Sequence, residues 1–146
     1  MSLDGAYDHD NIFARILRGE MPSARVFEDD HVYAFMDAFP LGRGHTLVIP
    51  KHSTARNLLE EAPETLAPLI LGVQRVARAM RAALTPDGVM IFQTNGEAAG
   101  QTVFHLHFHL VPRWDGEPPL GRHGGGKMAD MEELKALAAQ IAAKIT

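Results

Sequence analysis

The segment that most constrains the fold of this chain is residues 103–112, in which three histidines alternate with apolar residues. Alternation with a period of two is typical of a β-strand, whose successive side chains point to opposite faces. The pattern therefore predicts one strand with His105, His107 and His109 on a single face. The other face would carry the apolar side chains and pack on the core, namely Phe104, Leu106, Phe108 and Leu110.

Three imidazoles in register on one strand face predict a chemical role. Three charged rings side by side would repel one another, so packing alone does not explain the pattern. One interpretation is a metal site, since two histidines separated by one residue can ligate the same ion. The other is catalysis, in which one imidazole attacks an electrophile and its neighbours manage protons.

The polar loop before this strand favours phosphate chemistry over metal binding. Residues 94–102 contain two glycines, whose main-chain N–H groups can approach an oxyanion closely. Gln101 and Thr102 would add side-chain hydrogen bonds to the same anion. Glu97 is the only carboxylate in the loop and the chain has no cysteine, so the usual metal ligands are scarce.

Composition narrows the classes of function. A 146-residue chain with 46% hydrophobic and 22% charged residues suits one globular domain. The formal net charge is -4 and there is no basic stripe interleaved with aromatics, so we expect no nucleic-acid partner. No apolar run approaches the roughly 20 residues of a membrane span, and the N-terminus lacks signal-peptide features. We therefore expect no membrane partner and a cytoplasmic location.

Periodicity along the rest of the chain predicts an α+β fold. A short helix is expected from residue 11 to residue 18, and a long helix begins near Pro63 and ends near residue 84. Strands clustered before and after one long helix indicate a five-stranded antiparallel sheet. Besides the histidine strand, the predicted strands are residues 24–28, 31–37, 45–50 and 89–93.

The two ends of the chain differ in character. Residues 1–9 are polar, and we expect them to be poorly ordered. Residues 115–146 begin with a stretch rich in glycine and proline, which predicts a flexible connection, and end in a helix over residues 131–145. We expect a single domain spanning residues 1–146, with its core in residues 10–114.

Two further features have both a structural and a functional interpretation. Asp37 ends a predicted strand, where a carboxylate commonly caps the turn; acids at strand ends also accept hydrogen bonds from sugar hydroxyls in nucleotide sites. Phe13 and Ile16 lie on the apolar stripe of the first helix. Core packing is the simpler interpretation for both, and contact with a flat ligand is the alternative.

Residues 105–111 match the motif of the histidine triad (HIT) family, in which three histidines alternate with apolar residues and two apolar residues follow. The similarity covers residues 10–114 and is greatest to the Hint-like branch of small nucleotide-binding hydrolases. Other stretches resemble the same family in the same order, namely residues 12–22, 27–37, 44–51, 95 and 99–102.

The resemblance implies a HIT-like five-stranded antiparallel sheet that pairs with a second subunit into a continuous ten-stranded sheet. A homodimer and a purine nucleotide substrate are therefore the expected partners. His107 would be the nucleophile that attacks the α-phosphorus of a nucleoside phosphoramidate or related nucleotide, giving a phosphohistidine that water hydrolyses. His105 and His45 would orient His107, and His109 would contact phosphate oxygens and the leaving group.

The ligand contacts that the resemblance implies follow the same positions. Asn95, Gln101 and Thr102 would bind phosphate. Asp37 would bind the ribose hydroxyls. Phe13, Ile16 and Phe35 would surround the base.

Many bacterial relatives carry a C-x-x-C pair near the first helix that forms a structural zinc site with two histidines. This chain has Asn11 and Ala14 at those positions, and His52 is offset by one residue from the usual histidine. We therefore predict no structural zinc, with apolar packing around Ala14 in its place. The implied mechanism requires no metal, and no cofactor is expected.

Alternatives stay open at this point. The Fhit-like branch shares the triad, so hydrolysis of dinucleoside polyphosphates is compatible with it. Nucleotidyl transfer is disfavoured, because that branch commonly has Gln where this chain has His109. A catalytically idle nucleotide-binding dimer and a metal protein built on the three histidines are different classes of function, and the intact triad argues against the first.

Overall fold

The computed structural model describes residues 2–121 and 126–146. Two glycines of the predicted flexible connection, Gly124 and Gly125, lie outside the described residues. Short 3-10 turns at Leu58–Glu60 and Glu97–Ala99 precede α2 and β5, respectively. In chain order, the helices and strands are α1 (Ile12–Leu17), β1 (Arg25–Glu28), β2 (Val32–Met36), β3 (Thr46–Pro50), α2 (Pro63–Leu84), β4 (Gly88–Phe92), β5 (Phe108–Arg113) and α3 (Met131–Ala142).

The strands form one antiparallel sheet in the order β1-β2-β3-β5-β4, which confirms the predicted α+β class and five-stranded sheet. The first four strands each start within one residue of their predicted positions. β5 lies between β3 and β4, so His109 faces Leu47 on one neighbour and Phe92 on the other. β4 is an edge strand of the sheet.

The helices α2 and α3 cover one face of the sheet, called here the helix face. Residues at spacings of three and four on α2 form its apolar stripe, and Leu69, Val73, Val76 and Met80 are fully or almost fully buried there. Gly72 allows the helix to come close to β2, because a Cβ at this position would lie 2.8 Å from Cγ2 of Val32.

The opposite face, called here the site face, carries a smaller apolar cluster made by Phe13, Phe35, Leu47 and Ile49. α1 brings Phe13 to this cluster. The helix begins after Asn11, whose Oδ1 accepts a hydrogen bond from the Ala14 N–H at 3.0 Å. Ala14 is buried, so the two positions at which the resemblance led us to look for zinc-binding cysteines, Asn11 and Ala14, serve as a helix cap and as packing.

The histidine segment departs from the predicted strand. β5 begins only at Phe108, because the residues before it bond elsewhere: His105 Nε2 donates to the Pro50 carbonyl at 3.0 Å and the Leu106 N–H donates to the Ala55 carbonyl at 3.0 Å. These two bonds turn residues 103–107 out of the sheet. The predicted strand over residues 103–112 was therefore wrong in its first half.

The apolar side of the segment behaves largely as predicted. Leu106 and Leu110 are fully buried in the helix-face core, and Phe108 packs against that core. Phe104 does not join it. Its ring is half-buried beside the Arg56 guanidinium, whose central carbon lies 4.7 Å from the ring centroid.

The N-terminal segment also differs from its prediction. Residues 2–9, called here the strap, cross the molecule and make specific contacts instead of being poorly ordered. Arg56 Nη1 donates to the Ser2 carbonyl at 3.1 Å, and Asn57 Nδ2 donates to the Leu3 carbonyl at 3.3 Å. The strap is therefore held by residues just before α2.

The C-terminal helix is confirmed, although α3 ends at Ala142, before the predicted residue 145. Asp130 caps it by accepting a hydrogen bond from the Glu133 N–H at 3.2 Å. Among the described residues, no helix is both long enough and apolar enough to cross a membrane.

Candidate active site

The three histidines of the motif are all buried, with 1% exposure for His105, 4% for His107 and 2% for His109. Only His109 lies on β5, where its ring stacks on Phe92 at a centroid distance of 4.4 Å and an angle of 3°. The rings of His107 and His109 meet edge to face, 4.8 Å apart. Because the chain bends before β5, the rings form a curved group instead of an evenly spaced row.

The proton of His105 is fixed by its two partners. Nε2 lies 3.0 Å from the Pro50 carbonyl, which only accepts, so Nε2 carries the hydrogen. Nδ1 of the neutral ring then accepts from the Tyr7 hydroxyl at 2.6 Å. Burial lowers the pKa of His105 by penalising its charged form, an effect that the bond to Pro50 and the charge of Glu61 oppose. A neutral His105 is therefore the form this site favours.

The proton of His107 is fixed in the same way. Its Nδ1 lies 2.6 Å from the His105 carbonyl oxygen, so Nδ1 carries the hydrogen and the neutral ring has its lone pair on Nε2. The edge of Phe13 packs against the ring, with centroids 5.0 Å apart at 89°. The orientation and the tautomer of His107 are thus set by a main-chain carbonyl and an aromatic side chain.

A second chain of hydrogen bonds ends at His109. The Leu41 N–H donates to His45 Nδ1 at 2.9 Å, so His45 carries its hydrogen on Nε2. That nitrogen lies 2.9 Å from His109 Nδ1 and 3.5 Å from Asp37 Oδ2. Because His109 Nδ1 accepts the hydrogen bond, the hydrogen of a neutral His109 is on Nε2. His109 can therefore act as a donor through Nε2.

Asp37, His45 and His109 are also a potential metal-ligand group that the sequence did not predict, because their ligand atoms lie within 4.8 Å of one another. The contact from Leu41 argues against this use. A His45 that accepts at Nδ1 can offer Nε2 to a metal only as an imidazolate. The triad histidines themselves do not gather as a ligand set within the described part of the chain. The geometry thus favours a hydrogen-bonded chain over a metal site.

Asp37 has 4% exposure, and both carboxylate oxygens face the protein. Oδ1 accepts from the Phe39 N–H at 2.8 Å, which is the turn-capping contact, and Oδ2 lies beside His45. A contact between Asp37 and ribose hydroxyls stays a prediction, and in this structure the carboxylate supports His45.

In the structure Gln101 holds the polar loop in place, and its phosphate contact stays a prediction. Its amide Nε2 donates to the carbonyls of Arg56 at 2.6 Å and Val103 at 3.0 Å, and its Oε1 accepts from the Gly96 N–H at 2.8 Å. Both amide hydrogens are therefore used inside the protein. A phosphate oxygen needs a donor, so a side-chain contact from Gln101 would break one of these bonds.

Asn95 likewise holds the loop in place. Its Oδ1 accepts from the Leu58 N–H at 2.9 Å and from Gln93 Nε2 at 2.7 Å. These contacts tie the polar loop to the turn before α2, and a phosphate contact from Asn95 stays a prediction. Thr102 is the exposed member of the three predicted phosphate ligands.

A cleft of about 660 Å³ opens between the polar loop and the edge of the sheet. His109, Thr102 and Glu97 line it, as do Leu120 and Gly121 from the segment after β5. The cleft thus brings together one triad histidine and two predicted phosphate ligands, Gln101 and Thr102. His107 is not among the residues that line the cleft, and its ring lies 4.8 Å from that of His109.

The predicted base-binding residues lie elsewhere. Phe13 and Phe35 are buried in the site-face cluster at 6% and 3% exposure, and Ile16 packs against them half-buried. None of the three lines the cleft beside His109. Their contact with a base stays a prediction. In the structure Phe13 packs against His107, and Phe35 and Ile16 pack in the same apolar cluster as Phe13.

The structure also shows contributors that sequence reasoning missed. Tyr7 contacts His105 across 98 residues of sequence, and the Leu41 N–H sets the tautomer of His45. No local pattern marks either contact: Tyr7 lies in a polar stretch, and Leu41 acts through its main chain.

The family model described as HIT domain matches residues 18–116. The chain therefore belongs to the histidine triad (HIT) family, and its relatives identify it as a Hint-like member.

Three proteins illustrate this similarity in sequence and structure. A Hit-like protein from Bartonella henselae, described as involved in cell-cycle regulation and solved with an unknown ligand, has a TM-score of 0.89 at 46% identity, covering 97% of this chain and 100% of that one. A Zn-bound histidine triad family protein from Mycobacterium smegmatis has a TM-score of 0.75 at 40% identity, with 92% and 96% covered. The adenosine 5'-monophosphoramidase hnt1 of Schizosaccharomyces pombe is 35% identical over 134 residues, which is 92% of this chain and 97% of that protein.

Proposed function

We propose that this protein hydrolyses purine nucleoside phosphoramidates or related nucleotides at the α-phosphorus, through a phosphohistidine on His107. Membership of the HIT family, and the relative named adenosine 5'-monophosphoramidase, support nucleotide hydrolysis. The observation that carries the choice of nucleophile is the 2.6 Å contact between His107 Nδ1 and the His105 carbonyl. That contact leaves Nε2 as the nitrogen with the lone pair.

The proposed reaction has two steps. The lone pair on His107 Nε2 forms a bond to phosphorus while the bond between phosphorus and the leaving amine breaks, and the amine takes its proton from water. In the second step a water oxygen bonds to phosphorus, the bond to His107 breaks, and a proton returns to solvent. The products are the nucleoside monophosphate and the free amine.

His109 supports both steps as a hydrogen-bond donor. Its Nε2–H, set by the bond from His45, is suited to an oxygen of the phosphoryl group on which negative charge builds up. His109 lines the cleft, and the 4.8 Å distance between its ring and that of His107 supports the proposal that one phosphoryl group contacts both rings. Phe13 and the His105 carbonyl keep the attacking ring from rotating.

The test is turnover of an adenosine phosphoramidate by the wild-type protein and by His107→Ala. We expect the variant to lose about 10⁴-fold or more in rate, because no other group replaces the nucleophile. His52→Ala is the matched control, since His52 is exposed, and it should keep the wild-type rate. Equal turnover by His107→Ala and wild type would contradict the proposal. A dinucleoside polyphosphate assayed in parallel would show which leaving group is preferred.

We further propose that the protein is a homodimer formed through β4. This edge strand exposes Met90 at 46% and Ile91 at 45%, next to Ile70 of α2 at 51%. An apolar edge strand is a ready template for antiparallel pairing with a second copy, which would give the ten-stranded sheet. A groove of about 330 Å³ between α2 and β4 adds further apolar surface.

The oligomeric state can be measured by light scattering after size exclusion. The wild-type protein should have the mass of a dimer, and Ile91→Lys should shift it to the monomer, because a lysine there places a charge in the paired edge. Met128→Lys removes a more exposed apolar residue at another place in the fold and should remain dimeric. A wild-type monomer, or a dimer in Ile91→Lys, would contradict this interface.

A further inference from the structure

We propose that Tyr7 is a positioning residue for the triad: its hydroxyl holds the His105 ring, and through it the His105 carbonyl that orients His107. The kinetic part of this inference rests on the proposed function. The structural part, which concerns the proton positions of the histidines, does not.

The argument starts from the geometry of His105. The ring is bonded at both nitrogens, with the Pro50 carbonyl at 3.0 Å from Nε2 and the Tyr7 hydroxyl at 2.6 Å from Nδ1. Two opposed partners prevent both rotation of the ring and exchange of its tautomer. The carbonyl of the same residue is the acceptor for His107 Nδ1 at 2.6 Å. Because the ring and the carbonyl belong to the same residue, a shift of the His105 ring would also move the carbonyl that orients His107.

The protonation of the pair agrees with these directions of donation. Burial raises the pKa of the Tyr7 phenol, against smaller opposing effects from Asn11 and Arg18, so the hydroxyl keeps its hydrogen. Burial also lowers the pKa of His105, so its Nδ1 keeps the lone pair that accepts. The bond is therefore a neutral hydroxyl donating to a neutral imidazole.

Hydrogen bonds at both ends of the strap hold Tyr7 in this position. Its start is held through the Ser2 carbonyl by Arg56, and its end through the His9 carbonyl by Arg18 Nη1 at 2.5 Å. The Tyr7 ring packs edge to face on His9, with centroids 5.0 Å apart. Because these anchors do not use the Tyr7 hydroxyl, removing the hydroxyl should leave the strap in place.

The chain offers a matched pair of variants, since it contains two tyrosines. Tyr7→Phe removes the hydroxyl that donates to His105. Tyr33→Phe removes the other hydroxyl, which bonds Ser23 Oγ at 2.7 Å on the same sheet face and away from the triad. Each variant loses one part-buried hydrogen bond, so a general effect on folding should appear in both.

The expected kinetic result with the adenosine phosphoramidate is a kcat about 10-fold lower in Tyr7→Phe, with KM within about 2-fold of wild type. A loss in kcat alone is expected because Tyr7 touches the ring that positions the nucleophile and not the substrate. Tyr33→Phe should keep the wild-type values. Wild-type kcat in Tyr7→Phe, or an equal loss in both variants, would overturn the inference.

The second measurement needs no substrate. Long-range proton–nitrogen NMR of the wild-type protein should show His105 as a neutral ring with its hydrogen on Nε2, and His107 with a hydrogen on Nδ1. In Tyr7→Phe the Nδ1 resonance of His105 should move, since it loses its donor, and Tyr33→Phe should leave it unchanged. A wild-type His105 with its hydrogen on Nδ1, or an unmoved resonance in Tyr7→Phe, would overturn the inference even if the proposed reaction were absent.

Discussion

The two faces of the sheet are formed by the same strands but bury different kinds of side chain. The helix face buries mainly apolar side chains between the sheet and the helices α2 and α3, whereas the site face combines four apolar residues with a group of buried histidines. On β5 the two environments are adjacent in sequence: Leu110 belongs to the helix face and His109 to the site face. Because successive side chains of a strand point to opposite faces, the residues that stabilise the core and the residues that form the site can alternate along one strand.

The separation explains how buried histidines are tolerated. A polar group without water needs partners, and each ring on the site face has them: carbonyls for His105 and His107, and a second imidazole for His109. Main-chain groups supply much of this bonding, so ring orientation depends on the rigidity of the sheet and its turns. The helix face supplies that rigidity.

The largest expected effect compares neighbouring residues of β5. Leu110→Ala should lower the free energy of unfolding by about 3 kcal/mol, since it opens a cavity in the helix-face core, and should leave kcat of the folded protein unchanged. His109→Gln should do the reverse, with a loss of about 1 kcal/mol in stability and about 100-fold in kcat. Urea titration and steady-state kinetics measure the two quantities. Equal patterns in both variants would show that the faces are not separable.

A close contact on the helix face gives the next prediction. Gly72→Ala should destabilise the protein by about 2 kcal/mol, because the new Cβ would lie 2.8 Å from Val32 and push α2 off the sheet. Gly88→Ala is the matched control, since a Cβ there meets nothing within 4 Å. The shift in urea midpoint relative to Gly88→Ala isolates the clash. A Gly72→Ala protein as stable as the control would mean that α2 does not pack this closely.

We expect the free energy of unfolding to depend on pH near neutrality because of His105 on the site face. Burial lowers the pKa of His105 in the folded state, so below its ordinary value near 6.5 the unfolded chain binds the proton more readily. Stability should therefore fall as pH decreases from about 7 to 5, and be unaffected by this group at higher pH. His105→Asn should flatten that slope. The salt-bridged Glu28, whose pKa is lowered by Lys51, would lose its contribution only at lower pH, near and below the ordinary carboxylate range.

A slope between pH 7 and 5 that is unchanged in His105→Asn would contradict the assignment to this ring. Unfolding midpoints in urea at a series of pH values provide the measurement, with the same buffer series for both proteins.

The smallest predicted effect concerns the far end of the second hydrogen-bond chain. Asp37→Asn keeps the acceptor for the Phe39 N–H but removes the negative charge 3.5 Å from His45 Nε2. We expect kcat to fall about 10-fold, because the charge helps to hold His45 in the tautomer that donates to His109. Stability should change little. A loss confined to KM would instead favour the predicted contact between Asp37 and ribose.

Local patterns predicted the elements well and the site only in outline. The spacing on α2 and the alternation in the strands identify buried positions directly, since burial of a repeating face is a local property. The same alternation placed all three histidines on one strand, and it was wrong for His105 and His107. His105 bonds the Pro50 carbonyl and His107 bonds the His105 carbonyl, and the alternation of residue types does not predict either contact.

Contacts between distant residues account for the other differences. Gln101 has the composition of a phosphate ligand, yet its amide is used to hold the loop against Arg56 and Val103. Tyr7 has no distinguishing local pattern and nevertheless bonds to the triad. Which polar groups bond to one another within the protein depends on their proximity in three dimensions. A sequence can therefore identify candidate hydrogen-bond donors without showing which of them remain available to a ligand.

The most direct test of the proposed chemistry is to find where the phosphoryl group is carried during turnover. The protein would be mixed with adenosine phosphoramidate, quenched in base within one turnover, digested and examined by mass spectrometry for an adenylated peptide. An adenylyl group on His107, absent from His107→Ala, is the predicted result. Turnover without any adduct on His107, or an adduct of equal yield on His105 or His109, would contradict the role assigned to the middle histidine.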